Sequence, residues 1–401
     1  MQQDGSAPAG AKGSFVTDFS GRAMVQGFIV SLVGYASSVA ILIKGLAAVG
    51  ASETQIASGL MLVGITKGIA SIVLSLSSRM PVSVAWTTPG LALLATTGAV
   101  AGGFPAAVGA FLVVGALVVV AAFWEPLARL IGAIPKALAN AMLAGILLKL
   151  CLAPFVAIRE LPVVALTILA VWIVTMRLAR LWAVPAAVAV ALAAILLQGG
   201  AAGLGGFRLP MPVLVMPVLT FEAFFSLALP LFIVTMASQN ITGLAVLSTF
   251  GFRPRMRDGL VVTGGLSFVS AIFGAPTVNY AAITAALCAG EDAHSEPRRR
   301  YVAAVFSGIG YILFGSLAAV AAALVLHASP VLIEAAAGLA LIGAFGGAIK
   351  AATEDEGDRL PALMTFFVTA SGLSFFGIGG AFWGLVLGWG ARMLFRAGAG
   401  R

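Results

Sequence analysis

The sequence predicts an all-α polytopic membrane protein with about 14 transmembrane spans. Its composition is the first reason, because 61% of the 401 residues are hydrophobic, 9% are charged and the mean hydropathy is +1.08. The second reason is that apolar runs of about 20 residues, the length of a membrane-spanning helix, recur along the chain. The third is an uneven distribution of Lys and Arg between the loops. Soluble globular domains do not have this pattern.

The apolar runs divide the chain into fourteen candidate spans. They lie at 22–43, 54–76, 83–99, 104–123, 133–150, 161–176, 183–198, 222–249, 258–273, 276–290, 301–325, 330–349, 360–373 and 377–395. If the N-terminus is cytoplasmic, 18 of the 23 Lys and Arg residues lie on the cytoplasmic side, four lie outside and Lys67 lies inside a span. Because basic loops favour the cytoplasm, this excess supports the count and predicts that both termini are cytoplasmic.

Fourteen spans divide into two halves of seven, and an odd number per half predicts that the halves are inverted relative to each other. Residues 1–21 then form a cytoplasmic tail, 22–198 the first repeat, 199–221 a connecting loop rich in Gly and Pro, and 222–395 the second repeat. The short third and tenth spans fall at matching positions in the two halves. Interrupted spans at matching positions are typical of a transporter's binding site near the bilayer midplane.

The third span begins within the segment Pro81–Gly90, which is a poor continuous helix. Pro89 removes a backbone donor and disfavours a helical conformation at Thr88, so we predict extended chain over 82–88 and a helix over about 89–99. Thr88 is the expected N-cap. Extended backbone at membrane depth occurs where it is buried in protein or lines a cavity, and a helix N-terminus beside it favours an anion. The segment therefore predicts an anion site.

The tenth span repeats the pattern, because Pro276 stands among hydroxyl and amide groups in Gly274–Tyr280. Thr277 and Asn279 are candidates to hold the same anion as Thr87, Thr88 and the N–H groups that follow Pro89. The alternative interpretation is that these polar groups only satisfy backbone freed around the two Pro breaks.

Ionisable residues inside spans are costly and are candidates for function. Lys67 lies in the middle of the second span between Gly64 and Gly68, and it is a candidate for proton coupling or for a substrate counter-charge. Snorkelling to the inner face is the alternative. Glu125 and Glu222 lie near span ends, where they are either solvated groups or proton carriers.

Several classes of function are disfavoured. The net charge of +8 comes from short loops between spans, so we expect no nucleic-acid partner. The two Cys and two His residues lack metal-ligand spacing, so no metal or other cofactor is expected. The chain has no nucleotide-binding motif G-x-x-x-x-G-K-[ST], which disfavours a primary pump. It also has no intramembrane His/Asp cluster or paired carboxylates, and we therefore expect that it is not an enzyme.

Two motifs resemble those of the benzoate–proton symporter (BenE) family of bacterial inner membranes. Ser83–Gly90 matches the pattern S-[IV]-A-W-[ST]-T-P-G, and Gly274–Leu287 matches G-A-P-T-V-N-[LY]-A-A-I-T-A-A-[LI]. An acidic loop at Glu291 and the basic cluster Arg298–Arg300 follow, as in the family. The segment from Val234 to Asn240 also matches, and the resemblance extends from about Asp18 to Met393.

The resemblance implies an architecture similar to that of nucleobase–ascorbate and SulP-type anion transporters. Those proteins have seven-plus-seven inverted repeats, and their substrate lies between half-helices 3 and 10. A core domain, here 22–123 with 222–325, moves against a gate domain, here 133–198 with 330–395. Related architectures often form homodimers through the gate domain, so the resemblance offers a homodimer as one arrangement of this chain.

The resemblance implies import of benzoate or a similar small aromatic carboxylate together with a proton, by alternating access in the bacterial inner membrane. Nucleobase transporters hold a carboxylate in span 8, whereas this chain has the neutral Gln239 and Asn240, which suits an anion and leaves the proton carrier unidentified. Another substrate, such as a nucleobase or an inorganic anion, and an anion channel are the alternatives. The predicted substrate-binding residues are Trp86, Thr87, Thr88, Pro89, Gly90, Gln239, Asn240, Pro276, Thr277, Asn279 and Tyr280.

Overall fold

A computed structural model describes residues 15–36, 38–124, 126, 134–197, 210–319, 321–322, 330–375 and 378–398. These residues are mostly helical. The helices are α1 (Phe15–Asp18), α2 (Gly21–Ala36), α3 (Val39–Ala48), α4 (Glu53–Ser78), α5 (Thr88–Thr97), α6 (Gly103–Phe123), α7 (Lys136–Glu160), α8 (Pro162–Leu178), α9 (Ala183–Leu197), α10 (Phe221–Thr249), α11 (Met256–Ala271), α12 (Ile283–Ala289), α13 (Tyr301–Ser316), α14 (Pro330–Thr353), α15 (Glu356–Ala370) and α16 (Gly380–Gly398).

In the described ranges, four short strands interrupt the helices. They are β1 (Val84–Trp86), β2 (Val278–Tyr280), β3 (Ser374–Phe375) and β4 (Ile378–Gly379). β1 pairs with β2 and β3 pairs with β4, both antiparallel. The first pair joins segments from opposite halves of the chain, and the second is a local hairpin before α16.

Among the described residues, six helical segments are long and apolar enough to cross a membrane. Hydrophobic side chains also face outward along them, as expected for helices in contact with lipid. The protein is therefore a helical, multi-pass membrane protein, as its composition predicts. The six segments are Gly21–Ala48, Glu53–Ser78, Gly103–Phe123, Lys136–Glu160, Phe221–Thr249 and Ala335–Thr353.

The long helices pack in two groups. In the first group α4 packs on α13, α11 packs on α6, and α2 packs on α13. In the second group α7 packs on α14 and α15, and α15 packs on α16. The short helix α5 contacts α3 and α10, but it also contacts α7, so it lies where the two groups meet.

Glycines allow α4 and α13 to approach each other closely. A Cβ atom added at Gly64 would lie 2.9 Å from the Cα of Gly315, and one at Gly68 would lie 2.5 Å from the carbonyl oxygen of Gly308. This is the small-xxx-small arrangement that brings transmembrane helices into backbone contact. Lys67 lies between these contacts on α4, and the close approach brings it beside α13.

Local signals define the two ends of α4. Ser52 and Gln55 form a capping box, in which the Ser52 Oγ accepts from the Gln55 N–H and the Gln55 Oε1 accepts from the Ser52 N–H. At the other end Arg79 adopts a left-handed conformation with φ 55°. Its guanidinium contacts the hydroxyl of Tyr301 and lies 3.7 Å from the Asp18 carboxylate. These contacts join α1, α4 and α13 at one end of the bundle.

Candidate binding site

The centre of the site is the crossing of β1 and β2. Val84 pairs with Tyr280, Ala85 with Asn279 and Trp86 with Val278. Two further bonds extend the pairing, from the Thr87 N–H to the Thr277 carbonyl at 3.3 Å and from the Ala281 N–H to the Ser83 carbonyl at 3.0 Å. The two Pro-containing motifs, distant in sequence, thus lie side by side.

Side chains satisfy the outer edges of this two-stranded sheet. The Ser71 Oγ on α4 accepts from the Val84 N–H at 2.9 Å, and the Ser267 Oγ on α11 accepts from the Val278 N–H at 3.0 Å. Unpaired N–H groups are costly away from water, so these two serines allow extended chain inside the bundle. They occupy corresponding places, each on the long helix that precedes its strand.

The start of α5 differs by one residue from the prediction. Thr87, and not Thr88, is the N-cap, and its Oγ1 accepts from the Gly90 N–H at 3.3 Å. The Leu91 N–H bonds to the Thr87 carbonyl, so the N–H groups that follow Pro89 are occupied by the helix itself. Thr88 is the first helical residue, and within the described part of the chain its N–H and hydroxyl have no partner.

Four buried polar atoms on or beside the two strands have no hydrogen-bond partner among the described residues. They are the Thr277 Oγ1 and the Asn279 Oδ1 on β2, the Thr235 Oγ1 on the segment of α10 that contacts β2, and the hydroxyl of Tyr35 on α2, whose ring packs on Trp86. Most buried polar atoms in proteins are hydrogen-bonded, so unpartnered ones indicate a place for a ligand or water. One N–H of the Asn279 Nδ2 donates to the Tyr280 carbonyl at 2.7 Å.

Helix α10 contains two π-helical segments, Phe224–Ala228 and Thr235–Asn240, which the apolar pattern of the eighth span does not predict. The second directs Asn240 towards β2, where its Oδ1 accepts from the Tyr280 N–H at 3.0 Å. Gln239 is half-buried, and no side-chain hydrogen bond is found for it among the described residues. π-Helical turns are frequent at functional sites.

We predict that replacing Asn240 with Ala destabilises the protein. The Tyr280 N–H would then be buried without an acceptor, at a cost of about 1–3 kcal/mol. The measurement is the thermal unfolding midpoint of the purified protein in detergent. Gln239→Ala is the matched control, because it removes a neighbouring amide that holds no strand. Equal midpoints for both variants would contradict the role of Asn240.

Two predicted aromatic contacts are buried in the protein. Trp86 is 1% exposed, its Nε1 donates to the Ser38 Oγ at 2.8 Å, and its ring packs on Tyr35. Tyr280 is also 1% exposed, and its ring lies against Gly259. The Trp86 ring therefore fixes β1 against Tyr35, and the Tyr280 ring fixes β2 against Gly259. Pro276, Pro89 and Gly90 are buried as well, and Gly90 lies so close to Leu231 that a Cβ atom would not fit without movement.

Lys67 is buried between two aromatic rings. Its side chain is 1% exposed, and its Nζ lies 3.7 Å from the centroid of the Trp86 ring and 3.4 Å from that of Tyr311. In the described ranges no carboxylate lies within ion-pair distance of it. Lys67 therefore contacts the last residue of β1. That residue, Trp86, immediately precedes Thr87, the N-cap of α5.

A cavity of about 180 Å³ lies where the two helix groups meet, further along α5 than Thr88. Glu222, one of the predicted proton carriers, lines it, and the Glu222 Oε1 accepts from the Ala101 N–H at 3.3 Å. Glu125, another predicted proton carrier, lies outside the described residues. The structure thus brings Thr87, Thr88, Thr277 and Asn279 together and separates Glu222 from them.

Comparison with known proteins identifies the family. The family described as benzoate membrane transport protein (BenE) matches residues 17–394. The chain belongs to this family. The motif resemblance is thereby confirmed, and it covers nearly the whole length.

Two relatives of the chain are similar over most of their length. The inner membrane protein YdcO of Escherichia coli K12 is 38% identical over 366 residues, which cover 91% of this chain and 93% of the relative. The benzoate membrane transport protein of Acinetobacter baylyi is 30% identical over 380 residues, which cover 92% and 94%.

Among solved structures, two resemble this chain in fold. The overall structure of SLC26A9 matches with a TM-score of 0.60 at 12% identity, covering 95% of this chain and 67% of that one. The transmembrane domain of the cyanobacterial bicarbonate transporter BicA matches with a TM-score of 0.57 at 14% identity, covering 92% and 97%. At these identities the likeness shows a shared fold.

Proposed function

We propose that this protein is a secondary active transporter that imports benzoate, or a similar small aromatic carboxylate, together with a proton. The observation that carries the proposal is the β1–β2 crossing, which gathers unpartnered polar groups beside the start of α5 in a chain of the benzoate transport family. We place the substrate carboxylate at this crossing, on the side of Thr88.

The chemistry of the crossing suits an anion. A carboxylate accepts hydrogen bonds, and Thr88 offers an N–H and a hydroxyl at the positive end of a ten-residue helix. The hydroxyls of Thr277 and Thr235 are further donors without a partner in the described residues. The nearby amides Gln239 and Asn240 carry no charge that would repel the substrate. Helix α12 has only seven residues, so the second half contributes through β2 side chains.

We propose that Lys67 carries the coupled proton. An isolated ammonium buried away from water is costly, and the faces of Trp86 and Tyr311 offset only part of that cost. A bound carboxylate would stabilise the charged lysine, and the charged lysine would strengthen carboxylate binding by the same factor. The loaded carrier then holds both proton and anion, and the empty carrier holds neither, which is the requirement for symport.

We propose alternating access between two domains. We assign the first helix group, with α5 and α10, to the core domain and the group around α7, α14 and α15 to the gate domain, and the packing of the helices supports this assignment. The matching roles of Ser71 and Ser267 support an inverted seven-plus-seven repeat of 14 spans. We also propose that the protein lies in the bacterial inner membrane with both termini in the cytoplasm, as the distribution of basic residues predicts.

Competition between substrates tests the specificity. Uptake of labelled benzoate into proteoliposomes is measured with an excess of unlabelled benzoate, uracil, bicarbonate or sulfate. We expect benzoate and its close aromatic analogues to compete and the other compounds to have no effect. Equal competition by uracil or an inorganic anion would contradict the proposed substrate. Benzoate-dependent current that does not saturate would instead indicate a channel.

A further inference from the structure

The cavity at the junction of the two helix groups has the size and lining of a site for a small aromatic anion. Its volume of about 180 Å³ exceeds the roughly 150 Å³ that accepts a benzene molecule in an engineered protein cavity. Apolar and polar side chains share the lining, which includes Leu93, Thr97, Ile146, Lys149, Glu222 and Ser374.

The polar part of the lining contains one cation and one carboxylate. Lys149 is exposed, and no ion pair is found for it within the described residues. The hydroxyls of Thr97 and Ser374 likewise have no hydrogen-bond partner among the residues that the structure describes. Glu222 opposes Lys149 in charge, and its Oε1 is fixed by the Ala101 N–H. A carboxylate entering the cavity would therefore meet an available ammonium and also one repulsive group.

The cavity and the start of α5 near the β1–β2 crossing lie on the same side of α5. Leu93 and Thr97 line the cavity, and Pro89 stands four residues before Leu93, on the same side of the helix. The topology predicted from the loop charges places Lys149 on the outer side of the membrane. A substrate that arrives from outside would thus meet Lys149 before it reaches Thr88.

We propose that this cavity is an outer capture site for the aromatic carboxylate, with Lys149 as its counter-ion and Glu222 as the group that limits its affinity. The proposal rests on the proposed transport function and adds a second site to it. The ring packs against Leu93 and Ile146, and the carboxylate faces Lys149. Because the lysine is exposed, its attraction is modest and is screened by salt.

Lys149→Gln tests the capture site. We expect the KM for benzoate uptake to rise about two- to fivefold at low ionic strength, the range for an exposed ion pair, with the maximal rate unchanged. The difference should shrink in high salt, and Lys149→Arg should stay close to wild type. Arg159→Gln is the matched control, because Arg159 is exposed near the end of the same helix and does not line the cavity.

Glu222→Gln provides the opposite test. The amide keeps the acceptor for the Ala101 N–H and removes the repulsive charge, so we expect a lower KM. Structural damage would not shift KM in opposite directions in the two variants. If Lys149→Gln and Arg159→Gln both match the wild type while the wild type transports benzoate, the capture site is refuted and the proposed function stands. Absence of benzoate uptake by the wild type would overturn both.

Discussion

Replacing Lys67 with Met is expected to abolish the stimulation of benzoate uptake by an inward proton gradient. Methionine keeps most of the volume between the Trp86 and Tyr311 rings but cannot bind a proton. Without the linked charge, benzoate binding should weaken by about tenfold or more, within the usual range of coupling between two sites. The measurement is the initial rate of labelled uptake with and without the gradient.

Two further variants make the Lys67 result specific. Lys67→Arg stays charged at all working pH values, so it should bind benzoate and exchange it across the membrane without net uptake. Lys350→Met is the matched control, because Lys350 is exposed at the end of α14 and should behave as wild type. A folded Lys67→Met protein with normal gradient stimulation would contradict the assignment and shift attention to Glu222 or Glu125.

Replacing Thr277 with Val is expected to raise the KM for benzoate about tenfold without loss of stability. The hydroxyl is buried and has no partner among the described residues, so its removal leaves no group unsatisfied. In the loaded carrier the same hydroxyl would donate to the substrate carboxylate, and a hydrogen bond to a charged group is worth about 1.5–3 kcal/mol. Uptake kinetics and the thermal unfolding midpoint are measured on the same preparation.

Thr284→Val is the control for this substitution. The Thr284 hydroxyl bonds to the Ser83 Oγ at 2.8 Å, so its loss should lower stability and leave the KM near the wild-type value. A wild-type KM in the Thr277→Val variant would mean that the unpartnered Thr277 hydroxyl has no part in binding.

The sequence predicts much of the fold because the strongest constraints in a membrane are local. Apolar run length, loop charge and the Pro89 break each act over a few residues, and they give the helices and the extended chain around Val84. The family motifs also predict that the interrupted segments of the two halves lie together at the binding site. Where the structure differs by one residue, at the Thr87 cap, the cause is that either threonine could cap a helix that contains Pro89.

The rest depends on contacts between residues that are distant in sequence. The register of β1 on β2 is supported by Ser71 and Ser267, two serines among many in the chain. The glycine contacts between α4 and α13 bring Lys67 against the Tyr311 ring on α13, and β1 adds the Trp86 ring on its other side. The π-helical turn that directs Asn240 towards Tyr280 has no local signal. The roles of the site residues stay predictions.

The most direct measurement is saturable uptake of labelled benzoate by the wild-type protein in proteoliposomes, with and without an inward proton gradient. We predict saturable uptake that increases with the gradient and collapses when a protonophore dissipates it. Saturable uptake that is indifferent to the gradient would contradict proton coupling. No uptake by protein shown to be folded would contradict benzoate transport itself.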